Sequence, residues 1–260
     1  MLDTVNKTTR STSPDISDAE WDLRVRLAAA YRLVEHFGWT ELIYGHLTAR
    51  VPGTNHFLIN RWGLNFDEVT ASNLVKIDVD GKAIAPDDAP VNYAGFVIHS
   101  AIHMAPSSEN HVVMHTHTVP GMAVAALDQG LQPISMFASV FHGDLAFHEY
   151  EGASLYLDER ERLLKSLGTA RAMILRNHGL LVVGGTVPEC FLRLYRLERA
   201  CQIQLAANAA GKVRVMPDDL AAKSGSDLTE FQKRSPIGEG AVEFEAMMRR
   251  LDRTDSSYRT

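Results

Sequence analysis

The chain has 260 residues, 45% of them hydrophobic and 22% charged, the mix of an ordinary globular protein long enough to bury a core without disulfides. A formal net charge of -6 argues against a phosphate-tracking surface and so against nucleic acid as a partner. No apolar run approaches the ~18 residues of a membrane span and the start lacks the apolar core of a signal peptide, so the expected location is cytoplasmic, with no membrane partner.

Residues 1–16 are polar and carry Pro14, which reads as a disordered leader. Ser17 and Glu20 form a capping-box pattern. It opens a helix whose apolar positions are Leu23, Leu27, Ala30, Tyr31, Val34 and Phe37, stopped by Gly38. Short strands are predicted at 47–51 and 56–59 around the turn Pro52-Gly53, and again at 74–79 before Asp80-Gly81. The pattern predicts a helix over 94–105 stopped by Pro106, a strand over 111–118 and a helix over 120–127. Apolar strands at 172–175 and 179–183 meet at Asn177-His178-Gly179. Thr186 and Glu189 repeat the capping pattern before a long helix with the stripe Leu194, Leu197, Cys201, Leu205 and Ala209. Cys190 and Cys201 fall on that one helix about 16 Å apart, too far for a disulfide, so two reduced thiols are expected. After Gly211 the chain turns polar, with one amphipathic helix over 241–251. Alternating strands and helices suggest α/β layers around a central sheet.

Histidine is the residue to follow, with 11 in the chain. On a strand, side chains at i and i+2 share a face, so His115 and His117 point to one place, as metal ligation requires. His178 stands at a break between two strands and offers a third nitrogen. Three neutral imidazoles would leave a divalent charge uncancelled, giving a Lewis acid with open positions. The same spacing also suits polar decoration of a strand, and the residues alone leave both readings open. His99 and His103, four apart on a helix, read as a second ligand pair or as the wall of the same cleft. His46, after Gly45, is a candidate for substrate contact, and His148 for acid-base work or burial. His36, His56 and His111 read as structural.

Gly45-His-Leu-Thr48, Gly63-Leu-Asn-Phe-Asp-Glu68 before Leu74-Val-Lys-Ile-Asp78, His115-Thr-His-Thr118 and Arg176-Asn-His-Gly-Leu180 together resemble the class II aldolase/adducin family, from Glu20 to Gly211. The resemblance implies a single α/β/α three-layer domain with a central, mostly antiparallel sheet, spanning residues 17–215. Residues 216–260 would form a C-terminal extension with one helix, a solvated tail unless Arg249, Arg250 or Tyr258 reaches a neighbouring subunit. It also implies one divalent metal on His115, His117 and His178, zinc in the aldolases, with manganese, iron or cobalt as alternatives, and a homotetramer.

The sequence departs from the sugar-phosphate aldolases in three places. The glutamate four residues before the histidine matching His99 is Gly95 here. The two phosphate-holding serines before it are Tyr93-Ala94, and the glycine-asparagine turn reads Gly45-His46. A retro-aldol step needs a base to take a hydroxyl proton, and glycine has none. The resemblance thus implies a metal-dependent carbon–carbon lyase, aldolase- or decarboxylase-type, on an unphosphorylated hydroxy-carbonyl or hydroxy-carboxylate small molecule. His46, His99 and His148 are the candidate proton carriers, since imidazole suits both roles; Gly45, Asn92 and Tyr93 are the candidate substrate contacts. Two other readings stand beside it. One is a non-catalytic adducin-like binding module, which Phe57-Leu-Ile-Asn60 and Asp67-Glu-Val-Thr-Ala-Ser72 resemble most. The other is a three-histidine iron oxygenase.

Overall fold

The computed structural model describes residues 16–86, 88–105, 110–152 and 157–260, with all of their side chains but those of Tyr93 and Ala94. The expected leader, but for Ile16, and the expected helix stop at Pro106 lie outside the described residues.

Helix α1 (Asp18–His36) begins where the Ser17 hydroxyl accepts the Glu20 N–H; Glu20 turns its own carboxylate to Arg24 and Lys76. Strands β1 (His46–Arg50), β2 (Phe57–Ile59), β3 (Val75–Ile77) and β4 (Ala83–Ala85) follow, then helix α2 (Tyr93–Met104) and strand β5 (Val112–Thr116). Next come α3 (Val119–Ala125), α4 (Met136–Ser139), β6 (Leu145–His148), α5 (Glu159–Leu167), β7 (Ala172–Leu175), β8 (Gly179–Gly184) and α6 (Val187–Ala210). The strands form one sheet in the order β4-β3-β2-β1-β5-β8-β7-β6. Every pairing is antiparallel except β6 with β7.

Period-2 alternation divides the sheet into two faces. Leu47, Ala49, Met114 and Val182 pack with Leu27, Tyr31 and Val34 of α1, Val124 of α3 and Leu194, Leu197 and Cys201 of α6. Val113, Met173, Leu181 and Val183 pack on the other side with Ile98 and Ile102 of α2 and Leu163 and Leu167 of α5. The result is the expected three-layer α/β/α arrangement, with the long capped helices on one face and α2 on the other. His46, Thr48 and His115 share the α2 face, and Thr116 faces α6. The buried Tyr31 hydroxyl donates to Leu47 O at 2.6 Å and accepts from Leu47 N–H at 2.9 Å, pinning the backbone beside His46.

The C-terminal stretch departs from expectation. It holds two helices, α7 (Asp218–Lys233) and α8 (Ala241–Thr254), and a 3₁₀ turn at Ser257–Arg259. Phe244, Met248 and Leu251 of α8 are buried in the α1–α6 core. Tyr258 is 0% exposed, its hydroxyl donates to Asp252 Oδ1 at 2.7 Å, and its carbonyl accepts the Ala71 N–H. Arg249 and Arg250 are exposed. This end of the chain is a packed part of the domain, because one apolar stripe three turns long suffices to bury a helix. Among the described residues, no helix is long and apolar enough to cross a membrane.

Candidate metal centre

Strand β5 stops at Thr116, one residue short of His117, so the two histidines do not share a regular strand as expected. Their rings meet nevertheless. Nε2 of His115 lies 2.7 Å from Nε2 of His117, which lies 3.0 Å from Nε2 of His178. The three ligand nitrogens fall within 4.8 Å of one another, the one such cluster of histidine, cysteine and carboxylate groups among the described residues. Nδ1 of His115 is 2.8 Å from the Leu180 carbonyl. A carbonyl only accepts, so Nδ1 carries the proton and Nε2 presents a lone pair. Three imidazole nitrogens gathered this closely are a proper donor set for zinc or a neighbouring divalent metal.

The Asn177-His178-Gly179 turn works by backbone geometry. Asn177 sits at φ 55°, a left-handed conformation that asparagine tolerates better than most residues. A Cβ on Gly179 would come within 2.4 Å of the Thr116 carbonyl, so only glycine lets β8 pass this close to the end of β5. Gly45, at φ +85°, likewise passes against the His115 carbonyl, which a Cβ would meet at 3.3 Å.

His46 pairs with His115 across the sheet. Its ring centroid is 4.2 Å from that of His99 and 5.3 Å from that of His115. It also fills the space a side chain at position 95 would need: a Cβ on Gly95 would lie 2.7 Å from His46 Cγ and Cδ2. Both His46 ring nitrogens are buried without a hydrogen-bond partner among the described residues.

The tautomer of His99 follows from its neighbours. His103 Nδ1 lies 3.2 Å from the Asn110 carbonyl and so donates, leaving its Nε2 to accept the Thr48 hydroxyl proton at 2.7 Å. Thr48 Oγ1 then accepts from His99 Nδ1 at 2.7 Å. His99 Nε2 is therefore a buried lone pair, and it has no partner among the described residues. Both His103 nitrogens are engaged, by Thr48 and Asn110, so His103 offers no lone pair to a metal and only His99 of the two keeps a free ring nitrogen among the described residues.

His148 stands apart. Its Nδ1 is 3.0 Å from Ser166 Oγ and its Nε2 faces Glu159 at 3.6 Å and Glu151 at 3.9 Å. It makes no ring contact with the triad among the described residues, although it and His178 border a small cavity of about 10 Å³. Asn92 accepts the Gly95 N–H as the cap of α2, and the Tyr93 side chain lies outside the described residues. A far larger cavity, about 630 Å³, opens at the other end of β1 and β5, beside Arg50, His111, Val112 and Thr186, and none of His115, His117 and His178 lines it.

Sequence reasoning missed Glu198 on α6. It is 0% exposed, accepts hydrogen bonds from Thr116 and Thr118, and is pushed up to about 7 by burial. The available signal was a carboxylate set within the apolar stripe, one position from Leu197.

Burial holds the imidazoles neutral. It pushes His46 and His103 down to about 3 and His178 to about 4, and holds His99 and His115 well below the usual value. In the unfolded chain these rings titrate near 6.5. The stabilisation from excluding their protons is complete above that pH and is lost as pH falls from 6.5 toward 4, where the unfolded chain binds protons that the fold refuses. The expected loss is roughly 1 kcal/mol per pH unit for each such histidine. Urea midpoints at pH 7, 6 and 5 should fall steeply, and a flat series contradicts the buried-neutral assignment.

Comparison with known proteins bears on the same residues. The family model described as "Class II Aldolase and Adducin N-terminal domain" matches residues 25–205. A putative aldolase class 2 protein of Caulobacter vibrioides is 43% identical over 96% of both chains. Mouse alpha-adducin is 42% identical over the whole of this chain, which spans 37% of that protein. Among solved structures, an aldolase II superfamily protein from Pseudomonas syringae superposes with a TM-score of 0.87 at 48% identity, over 94% of this chain and 98% of that one. L-fuculose 1-phosphate aldolase from Glaciozyma antarctica superposes at 0.80 and 30% identity, over 97% and 98%. The triad-bearing sheet, its flanking helices and these likenesses agree: the chain belongs to the class II aldolase and adducin N-terminal domain family.

Proposed function

We propose that this protein is a metal-dependent carbon–carbon lyase acting on an unphosphorylated hydroxy-carbonyl or hydroxy-carboxylate small molecule, with aldolase- or decarboxylase-type chemistry. The convergence of the His115, His117 and His178 Nε2 atoms carries this reading. Those three residues would hold the ion, zinc by resemblance, with manganese, iron or cobalt as alternatives. When bound, a divalent cation supplies electrophilic stabilisation of the charge that develops on substrate oxygens as the bond breaks.

The chain's own residues divide the remaining work. His99 offers a hydrogen-bond acceptor at Nε2, held in that tautomer by the relay through Thr48 and His103 to the Asn110 carbonyl. His46 takes the volume a side chain at position 95 would need, so no carboxylate base arises there and His46 forms that wall of the site. His148, beside Glu151 and Glu159, is a less central candidate for proton transfer. Gly45 keeps the floor close, while Asn92 shapes the start of α2. A cytoplasmic homotetramer completes the proposal, and light scattering tests the assembly.

The 42% identity to alpha-adducin supports a second reading, a binding module without catalysis. A direct screen separates the two. The protein loaded with Zn²⁺, Mn²⁺, Fe²⁺ or Co²⁺ is offered hydroxy-acids and hydroxy-ketones, and released carbon dioxide or aldehyde is measured. Metal-dependent release that a chelator stops supports the lyase. No turnover with any loaded form favours the binding module, and oxygen consumption with iron alone overturns the lyase in favour of an oxygenase.

A further inference from the structure

His115 and His117 alternate with two threonines in His115-Thr-His-Thr118, and the threonines point to the opposite side. Behind them stands Glu198, wholly buried on α6. Thr116 Oγ1 donates to its Oε1 at 2.9 Å, and the Thr118 hydroxyl lies 2.8 Å from each carboxylate oxygen. Thr118 Oγ1 in turn accepts the Gly121 N–H as the cap of α3.

The placement matters because of what His117 lacks. The β5–β8 ladder ends with Thr116 opposite Leu180, so sheet hydrogen bonding does not fix residue 117. The His115 ring is oriented by the Leu180 carbonyl. Among the described residues, the His117 ring has no hydrogen-bond partner besides the other two histidines. What holds its backbone is the pair of flanking hydroxyls gathered on one carboxylate. In its ionised form the carboxylate accepts without donating, so it can take both hydroxyl protons at once. Its burial removes the water that would otherwise compete for them.

We infer that Glu198 is a positioning residue of the metal centre: by clamping Thr116 and Thr118 from the α6 side, it fixes where His117 presents Nε2. The inference rests on the three-histidine reading above and extends it to the groups behind the ligands. Partners of this kind commonly change metal affinity 10- to 100-fold.

The test is competition titration of the full chain with Zn²⁺, together with the visible spectrum of the Co²⁺-loaded form and the thermal midpoint of the metal-free protein. Glu198→Leu removes the clamp while keeping volume and is expected to weaken Zn²⁺ binding about 10- to 100-fold and to alter the Co²⁺ bands. Glu198→Gln keeps an acceptor oxygen and is expected to stay within a few-fold of wild type. Thr116→Val removes one donor at constant shape, and serves if Glu198→Leu does not fold; its Zn²⁺ affinity should fall as well. Gln204→Leu is the structural control. It loses buried hydrogen bonds from the same helix to Gln132 and Gly130, so it should lower the midpoint without changing affinity. Wild-type affinity in both Glu198→Leu and Thr116→Val overturns the clamp, and so does Glu198→Gln as weak as Glu198→Leu. Wild-type protein that binds neither Zn²⁺ nor Co²⁺ overturns the metal centre itself, a result distinct from these.

Discussion

Replacing His115 or His178 with alanine is expected to weaken divalent metal binding about 100-fold, enough to lose the ion on dialysis against a chelator, while leaving the fold in place. Each residue contributes one of three converging nitrogens. If a zinc site is worth about 10–16 kcal/mol over four ligands, one lost ligand removes on the order of 3 kcal/mol, about two orders of magnitude in affinity. The two substitutions differ in structural cost. His178 is only half-buried, and among the described residues its ring makes its hydrogen-bond contact with His117 alone. His115 is buried and its Nδ1–H serves the Leu180 carbonyl, so His115→Ala should also cost about 1–3 kcal/mol of stability. That is tolerable against the roughly 5–15 kcal/mol of an ordinary domain. Metal content after dialysis, read beside far-UV circular dichroism, decides the matter. Full stoichiometry in either variant would remove that residue from the ligand set.

A side chain at position 95 is expected to destabilise the protein through its contact with His46. A Cβ there would lie 2.7 Å from two ring carbons and 2.8 Å from Nδ1. The ring cannot easily retreat, being packed between His99 and His115. Overpacking of this kind costs about 1–3 kcal/mol, which outweighs the gain of up to ~1 kcal/mol that alanine brings to a helix over glycine. Gly95→Ala should therefore unfold at lower urea than wild type. Gly95→Glu should fare worse, because it adds a carboxylate to a buried site. The signature is non-additivity: in a His46→Ala background, Gly95→Ala should become neutral or stabilising. A coupling near zero across that double-mutant cycle would mean the His46 ring swings clear, and position 95 would then be open to a base.

Local signals carried the long elements. The Ser17 and Thr186 caps and the apolar stripes behind them placed the starts of α1 and α6, because a cap and a 3.6-residue period are contained within the helix itself. The strands β4 and β6 and the helices α4 and α5 left too short or too polar a pattern to read. Helix α7 buries only Ala221, Gly225 and Gln232, so its sequence shows no stripe at all. It is held where Gly225 meets the Ser139 carbonyl, which a Cβ would approach to 2.4 Å. That dependence on a partner 86 positions away in the chain is invisible to any window.

Within the site the division is similar. The histidine triad was legible because the spacing of His115 and His117, and the break at His178, are short-range features, even though β5 ends before His117. The residues themselves determined which groups are able to ligate, and that position 95 carries no base. Only packing decided that the His46 ring occupies that gap, that Thr48 and His103 set the tautomer of His99, and that Glu198 reaches both threonines. Each of these joins segments far apart in the chain, and a contact of that kind exists only after the sheet has brought β1, β5 and β8 side by side and laid α2 and α6 on its two faces.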